Sequence, residues 1–180
     1  LAGLEDLVGI PGTVGGALHI NAGRQQADIG QFTVSATVLT RSGDVATRDR
    51  EDLVFAYRQS SLNELVILSA DFEMEKGDPQ ELTKRMQKLW IVKNANQPTS
   101  EQSSGRIFKN LHGVRAADVI DQAGLKGASV GGVVVSERNA NYIVAGAGAT
   151  SDDVRALIEL MKNQVAEKLG IELEYEIDIW

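Results

Sequence analysis

The chain has 180 residues, of which 43% are hydrophobic and 24% are charged, and its formal net charge is −7 at pH 7. This length fits one ordinary domain or two small ones, and the composition is that of a globular chain. With no cysteine and only two histidines, the sequence excludes disulfides, thiolate catalysis and metal sites rich in cysteine or histidine. Net negative charge argues against a nucleic-acid partner, and no apolar run approaches the roughly 20 residues of a membrane span. We therefore expect a cytoplasmic protein.

The first third of the chain combines a glycine-dense loop with strand-like patterns. Residues 9–16 contain four glycines, and a fold seldom opens on such a loop, so we expect further sequence before Leu1. Polar and apolar residues alternate with a period of two over residues 31–40, and a turn at 41–44 leads into a second strand over 45–48. A further alternating segment is predicted to place five apolar residues on one face: Val66, Leu68, Ala70, Phe72 and Met74.

The helix signals are local and agree with one another. Asp78 as N-cap, Pro79 at the first helical position and Glu81 as capping-box partner predict a helix from residue 79. It ends near a polar stretch at 96–105, which marks the best domain boundary. A short helix is predicted over 116–123 and a long one over 152–169, the latter capped by Thr150 or Ser151 and ended by Gly170.

The end of the chain alternates apolar residues with acidic ones over residues 171–179, which predicts a final strand. Because hairpins and helices occur without regular βα alternation, the sequence predicts an α+β fold.

Two segments of the first half carry residues suited to anion binding. Glycines in the loop at residues 9–16 allow positive φ and a close approach of backbone N–H groups to a phosphate. The spacing fits neither a Walker A loop nor the Rossmann fingerprint, and the alternative is a tight turn between packed elements. Arg58, between Tyr57 and Ser60, can clamp a carboxylate or phosphate; the alternative is an ordinary surface charge.

The second half offers weaker candidates. Lys109 and Asn110 can bind an anionic ligand but carry no signature of their own, and His112 is interpreted as a surface loop residue. Glu176 shares a strand face with Glu172 and Glu174, and a row of carboxylates on a half-exposed strand is usually a solvated face.

Several motifs follow one another through nearly the whole chain. They are GIPGTVGGA at residues 9–17, NAG at 21–23, FAYRQS at 55–60, QP at 97–98, FKN at 108–110 and LEYEI at 173–177. In this order and spacing the chain resembles the UDP-N-acetylenolpyruvoylglucosamine reductase family, in its shorter form. The resemblance implies that residues 1–96 are the second half of a vanillyl-alcohol-oxidase-type FAD-binding lobe with its linker helix. Residues 97–180 would then be the C-terminal substrate-binding domain.

The family's activity supplies expected partners. Members are cytoplasmic FAD-dependent oxidoreductases of peptidoglycan precursor synthesis that use NADPH to reduce UDP-N-acetylglucosamine enolpyruvate to UDP-N-acetylmuramate. By resemblance the chain would act as a monomer, without a metal, a nucleic acid or a membrane.

The resemblance also assigns expected roles to individual residues. Arg58 would stabilise the enolate that forms, Glu176 would orient or polarise it, and Arg106 stands at the position of the proton-donating serine. Lys109 and Asn110 would hold the nucleotide substrate. The loop and the motif that follows it would contact FAD through Ile10, Pro11, Gly12, Thr13, Gly15, Gly16, Asn21 and Gly23.

Two departures from the family pattern bear on activity. An arginine side chain holds its proton too tightly to be a good proton donor, and loss of a positioned general acid costs about 10²- to 10⁴-fold in rate. The family's first flavin-binding stretch also lies before the position of Leu1. We therefore expect weak or no turnover from these 180 residues. Three interpretations stay open: the C-terminal part of a reductase, a silent relative that binds a UDP-sugar, and a structural domain without a ligand.

Overall fold

A computed structural model of the chain describes residues 1–24, 27–64, 66–98, 102–103 and 105–179. The chain divides into two compact units, Leu1–Lys93 and Asn94–Trp180. Both combine helices with antiparallel strands, which confirms the predicted mixture of the two. None of the helices in the described ranges is long and apolar enough to cross a membrane.

The first unit is built around a three-stranded antiparallel sheet. Its helices are α1 (Val14–His19) and α2 (Pro79–Asn96, which runs past the unit boundary), with 3₁₀ turns at Glu5–Leu7, Ile29–Gln31 and Arg50–Asp52. Its strands are β1 (Gly23–Arg24), β2 (Ala27–Asp28), β3 (Thr33–Leu39), β4 (Val45–Asp49), β5 (Phe55–Ala56), β6 (Gln59–Ser60) and β7 (Val66–Phe72). The sheet has the order β4-β3-β7, and two short hairpins pair β1 with β2 and β5 with β6. The buried core consists of Leu18, Ile29, Ala36, Val38, Leu53 and Leu62.

Two bulges in the β3–β7 pairing change which side chains face this core. Val34 is left out of the pairing in β3, and Leu68 is left out in β7. Because side chains alternate with a period of two, each extra residue moves its neighbours to the other face. Leu68 is therefore 53% exposed, whereas Ile67, Ala70 and Phe72 pack against the core. The predicted common face of residues 66–74 is wrong for this reason.

The start of α2 agrees with its sequence signal. The Asp78 carboxylate accepts hydrogen bonds from the backbone N–H groups of Gln80 (2.8 Å) and Glu81 (3.0 Å), which satisfies two of the donors that a helix leaves open. The predicted apolar stripe is less buried than expected, since no described residue of α2 is buried and Trp90 is 51% exposed.

The second unit packs two helices against a small antiparallel sheet. Its elements are α3 (Ala116–Gln122), β8 (Ser129–Val130), β9 (Val133–Val135), β10 (Ile143–Ala145) and α4 (Ser151–Leu169), and the sheet order is β10-β9-β8. The apolar stripe of α4 is buried at Leu157, Ile158, Met161 and Val165. These side chains join Ile107, Phe108, Val133 and Val135 in the core. The long helix predicted from periodicity is confirmed.

Both ends of α4 are capped by residues next to it in the sequence. Thr150 accepts a hydrogen bond from the Asp153 N–H, the Asp153 carboxylate accepts one from the Thr150 N–H (3.0 Å), and Gly170 ends the helix with φ 66°. Asp153 also accepts from the Gly132 N–H at 3.3 Å. The capping box therefore ties the helix to the β8–β9 turn as well as stabilising its first turn.

Stability of the second unit should depend on the charge of Asp153. The hydrogen bonds from Thr150, then that from Gly132, hold the pKa of Asp153 below its ordinary value. Since the folded pKa lies below the unfolded one, the contribution is complete above the unfolded pKa of about 3.9 and is lost as the pH falls through the folded pKa. We expect Asp153→Asn to lower the free energy of unfolding at pH 6 and to have a smaller effect at pH 3.

Urea denaturation followed by circular dichroism at the two pH values measures this difference. Asp152→Asn is the matched control, because it removes a neighbouring first-turn charge that takes no part in the capping box. If Asp153→Asn lowered the free energy of unfolding by the same amount at both pH values, the prediction would be contradicted.

Candidate functional site

The β5–β6 hairpin holds Arg58 against the strand that follows α1. Arg58 lies in the turn of this hairpin with φ 57°, a left-handed conformation that a residue with a side chain rarely adopts. Its Nη1 donates to the Gly23 carbonyl oxygen at 2.9 Å, and its guanidinium carbon lies 5.3 Å from the centre of the Tyr57 ring. The hydrogen bond and the ring contact fix both the position and the direction of the guanidinium.

Asn21 joins the same hairpin to the rest of the unit. It is 4% exposed and also left-handed, with φ 47°. Its Nδ2 donates to the Ala56 carbonyl oxygen at 2.9 Å, and its Oδ1 accepts from the Gly30 N–H at 3.0 Å. The structure thus brings Asn21, Gly23 and Arg58 together in one cluster.

His19 takes part in two further hydrogen bonds beside this cluster, and the sequence did not predict them. Ser60 Oγ donates to the His19 carbonyl oxygen at 2.9 Å, and His19 Nδ1 lies 2.8 Å from the Leu62 carbonyl oxygen. Since a carbonyl only accepts, this contact requires the proton on Nδ1. The hydrogen-bonded pairs are 41 and 43 residues apart, so no local pattern could have indicated a role for His19.

The glycine loop leads directly into α1. Thr13 is the N-cap of α1 and accepts the Gly16 N–H at 3.1 Å. Gly12 has φ 123°, and a Cβ added there would meet nothing within 4 Å. The loop is open to solvent at Ile10, Pro11, Gly12, Thr13 and Gly16, whereas Gly15 is half-buried beside Ile67. It presents the first N–H groups of α1 on an accessible surface.

In the second unit, the segment at residues 106–109 lies between residues 141–142 on one side and residues 174–176 on the other. Arg106 forms a bridge with Tyr142, and Phe108 forms one with Tyr175. The Glu176 N–H donates to the Ile107 carbonyl oxygen at 2.8 Å, which places the backbone of Glu176 beside Ile107, the residue that follows Arg106 in the sequence. The predicted strand at 171–179 is reduced to this single bridge, although its alternation survives in the burial of Leu173 and the exposure of Glu172 and Glu174.

Asn141 fixes the centre of this segment. It is 2% exposed; its Oδ1 accepts the Phe108 N–H at 2.9 Å, and its Nδ2 donates to the Phe108 carbonyl oxygen at 2.7 Å. Its own carbonyl accepts the Ile107 N–H at 3.0 Å. One side chain therefore serves both backbone groups of a residue that lies between Arg106 and Lys109.

Lys109 and Asn110 follow this clamp. The Lys109 ammonium lies 3.9 Å from the Glu174 carboxylate, which is 79% exposed, so the pair contributes little to stability. Asn110 Oδ1 accepts the Ala116 N–H at 3.1 Å and so helps to start α3. Their substrate-binding roles remain predictions.

Tyr175 anchors the segment that carries Glu176. Its ring stacks on Phe108 with centres 5.9 Å apart, its hydroxyl donates to the Glu159 carboxylate at 2.7 Å, and the Lys162 ammonium lies 4.3 Å from its ring centre. The hydrogen bond to Glu159, followed by burial, raises the pKa of Tyr175. Tyr175 therefore fixes the backbone next to Glu176.

Comparison with known proteins shows which proteins this chain is similar to. A family model for the C-terminal domain of UDP-N-acetylenolpyruvoylglucosamine reductase matches residues 97–180. A UDP-N-acetylenolpyruvoylglucosamine reductase from Anoxybacillus flavithermus is 38% identical over 182 residues, which cover 99% of this chain and 60% of that protein. The chain is similar to UDP-N-acetylenolpyruvoylglucosamine reductases over almost its whole length, and residues 97–180 match their C-terminal domain.

The likeness to the reductases includes both units. The reductase from Listeria innocua is 40% identical over 181 residues, covering 99% of this chain and 61% of that protein. The crystal structure of the reductase from Thermus caldophilus superposes with a TM-score of 0.87 at 32% identity, covering 99% of this chain and 64% of that one. The resemblance derived from the motifs is confirmed, and the chain spans about 60% of the length of the curated reductases it matches.

Proposed function

We propose that the chain is the C-terminal portion of a flavin-dependent reductase that converts UDP-N-acetylglucosamine enolpyruvate to UDP-N-acetylmuramate with NADPH. The observation that carries the proposal is the likeness to reductases over 99% of the chain, in sequence and in fold. The reaction adds a hydride and a proton across the enolpyruvyl double bond, and NADPH is the source of the hydride. When bound, FAD would supply the hydride-transfer chemistry that amino-acid side chains lack.

The glycine loop fits the diphosphate of FAD by its donors and its shape. Residues 9–16 include no acidic side chain. Within the first turn of α1 the Gly16 N–H is bonded to Thr13 Oγ1, so the donors proposed for the diphosphate are the other backbone N–H groups of the loop. Backbone can approach a ligand closely at Gly12, where an added Cβ would project into open space. We propose that Ile10, Pro11, Gly12, Thr13, Gly15 and Gly16 hold the diphosphate, with Asn21 and Gly23 completing the contact.

Arg58 is suited to stabilise the negative charge that forms on the substrate. Its hydrogen bond to Gly23 and its contact with Tyr57 hold the guanidinium in place before any ligand binds. A charge that is already positioned needs no reorganisation during the reaction, which is the condition for effective electrostatic stabilisation.

The residues proposed to act on the substrate lie in the second unit. They are Glu176, Arg106, Lys109 and Asn110. Glu176 would orient or polarise the enolate, while Lys109 and Asn110 would hold the nucleotide. Arg106 cannot replace the proton-donating serine, because it lacks a hydroxyl and its guanidinium is a poor proton donor. This residue favours a second candidate function, binding of the UDP-sugar without its reduction.

A titration of the purified chain with FAD tests the proposal first. We expect quenching of flavin fluorescence and a shifted visible spectrum as the loop and the Asn21–Gly23 segment bind the cofactor. Absence of any FAD binding by the chain would contradict the proposed cofactor role of residues 1–96. Saturable binding of a UDP-N-acetylglucosamine derivative in that case would leave the UDP-sugar-binding function in place, and absence of both would favour a structural domain.

Arg106→Ser distinguishes the two candidate functions. In a chain that carries its flavin-binding lobe, we expect the substitution to raise NADPH oxidation that depends on the enolpyruvyl substrate by about 10²-fold or more, because it supplies a hydroxyl at the proton-donor position. Arg155→Ser is the matched control: it makes the same chemical change on the exposed side of α4. A normal rate in the unaltered chain would exclude the silent relative. A failure of Arg106→Ser to raise the rate would show that Arg106 is not the obstacle to turnover.

A further inference from the structure

Lys93, near the end of α2, supplies hydrogen bonds to the segment that enters the glycine loop. Its Nζ donates to the Asp6 carbonyl oxygen at 2.6 Å and to the Val8 carbonyl oxygen at 2.7 Å. Val8 directly precedes Gly9, the first residue of the loop. The half-buried ammonium therefore contacts the chain just where the loop begins.

The backbone of this segment shows why a side-chain donor is needed. The carbonyl groups of Leu4, Glu5 and Leu7 accept the backbone N–H groups of Leu7, Val8 and Ile10, at 3.0, 3.1 and 3.1 Å. The Asp6 and Val8 carbonyl groups instead accept the Lys93 ammonium. A carbonyl group shielded from water is more stable with a donor than without one, so the ammonium stabilises this turn in one conformation.

Two other residues of α2 contact the same segment. Arg85 Nη2 lies 3.1 Å from the Asp6 carboxylate, whose side chain is 7% exposed. At Gly9, which has φ 72°, an added Cβ would lie 3.3 Å from Trp90 Cδ1. Trp90 therefore packs against the backbone at the entrance of the loop.

We propose that Lys93 is a positioning residue. Together with Arg85 and Trp90 it sets the direction in which residues 9–16 leave the turn. That direction in turn determines the affinity of the loop for a diphosphate ligand. The proposal rests on the proposed cofactor role of the loop. It makes α2 part of the ligand-binding machinery without placing any of its atoms on the ligand.

Hydrogen exchange on the full chain tests the positioning directly. We expect Lys93→Met to accelerate exchange of the Val8 and Ile10 N–H groups, which are bonded to Glu5 and Leu7, by tenfold or more, while exchange in β3 and β7 stays unchanged. Lys93→Arg should restore most of the protection, because a guanidinium can donate to two carbonyl groups. Lys88→Met, the same change at an exposed position of α2, is the matched control and should leave exchange unchanged.

FAD titration of the same variants supplies the second measurement. Lys93→Met should weaken FAD binding by about tenfold or more, with Lys93→Arg close to the unaltered chain. Equal FAD affinity in Lys93→Met and the unaltered chain would overturn the proposal. Unchanged exchange at Val8 and Ile10, or a uniform acceleration over residues 1–93, would also overturn it. If the unaltered chain fails to bind FAD, the cofactor role fails, and the exchange measurement alone decides whether Lys93 positions the loop.

Discussion

Gly23→Ala is expected to destabilise the first unit by about 2–6 kcal/mol, through overpacking and strain at a sparsely populated backbone conformation. Gly23 has φ 139°, and an added Cβ would lie 2.6 Å from the Ala27 carbonyl oxygen and closer still to Asp28 Cα. Both are backbone atoms of the paired strand β2, and they cannot move aside as the end of a flexible side chain could. Since Arg58 binds the Gly23 carbonyl, the same change should release the guanidinium.

Urea denaturation measures the loss of stability, and hydrogen exchange at residues 55–60 measures the release of the hairpin. Gly43→Ala is the matched control, because Gly43 also has positive φ (90°) but its added Cβ would meet nothing within 4 Å. It should cost only the strain of the backbone conformation, about 1–2 kcal/mol. Equal losses for the two variants would contradict the argument from close approach.

Asn141→Ala should destabilise the second unit by about 3 kcal/mol or more. The substitution leaves the N–H and the carbonyl of the fully buried Phe108 without partners. Each unpaired group costs about 1–3 kcal/mol. Asn141→Asp should cost as much or more. A carboxylate can accept the Phe108 N–H but cannot donate to its carbonyl, and it places a charge at a site that is 2% exposed.

Chemical denaturation measures the loss of stability. Hydrogen exchange of the Phe108 and Lys109 amides shows whether the loss is localised to this segment. The matched control is Asn163→Ala on the exposed face of α4, which should be neutral or slightly stabilising because alanine favours helix more than asparagine does. The explanation fails if Asn141→Ala is as mild as this control.

The sequence predicted best those features that depend on neighbouring residues. The starts of α2 and α4 followed from Asp78 and Thr150, whose side chains cap N–H groups two or three residues away. The α4 stripe followed from its period, because one helix face packs on a single core.

What the sequence could not predict depends on distant partners. The bulges at Val34 and Leu68 arise in the pairing of β3 with β7 and leave no local signal. The Asn141 amide is 33 residues from the backbone groups it binds, and the left-handed conformation of Arg58 is unexpected for a residue with a long side chain. The motifs named Arg58, Asn21 and Gly23 by resemblance, but only the fold shows that Arg58 is bonded to Gly23 and that Asn21 is bonded to the hairpin that carries Arg58.

The hairpin that carries Arg58 has consequences for folding kinetics. β5 and β6 contribute two residues each, too few for a stable hairpin by themselves. Four hydrogen bonds join residues 35 to 43 positions apart and attach it to the α1–β1 segment. The entropy of closing so long a loop is lost before these bonds form. The guanidinium therefore reaches its place late in folding, and substitutions at Asn21 or Ser60 should speed unfolding far more than they slow folding.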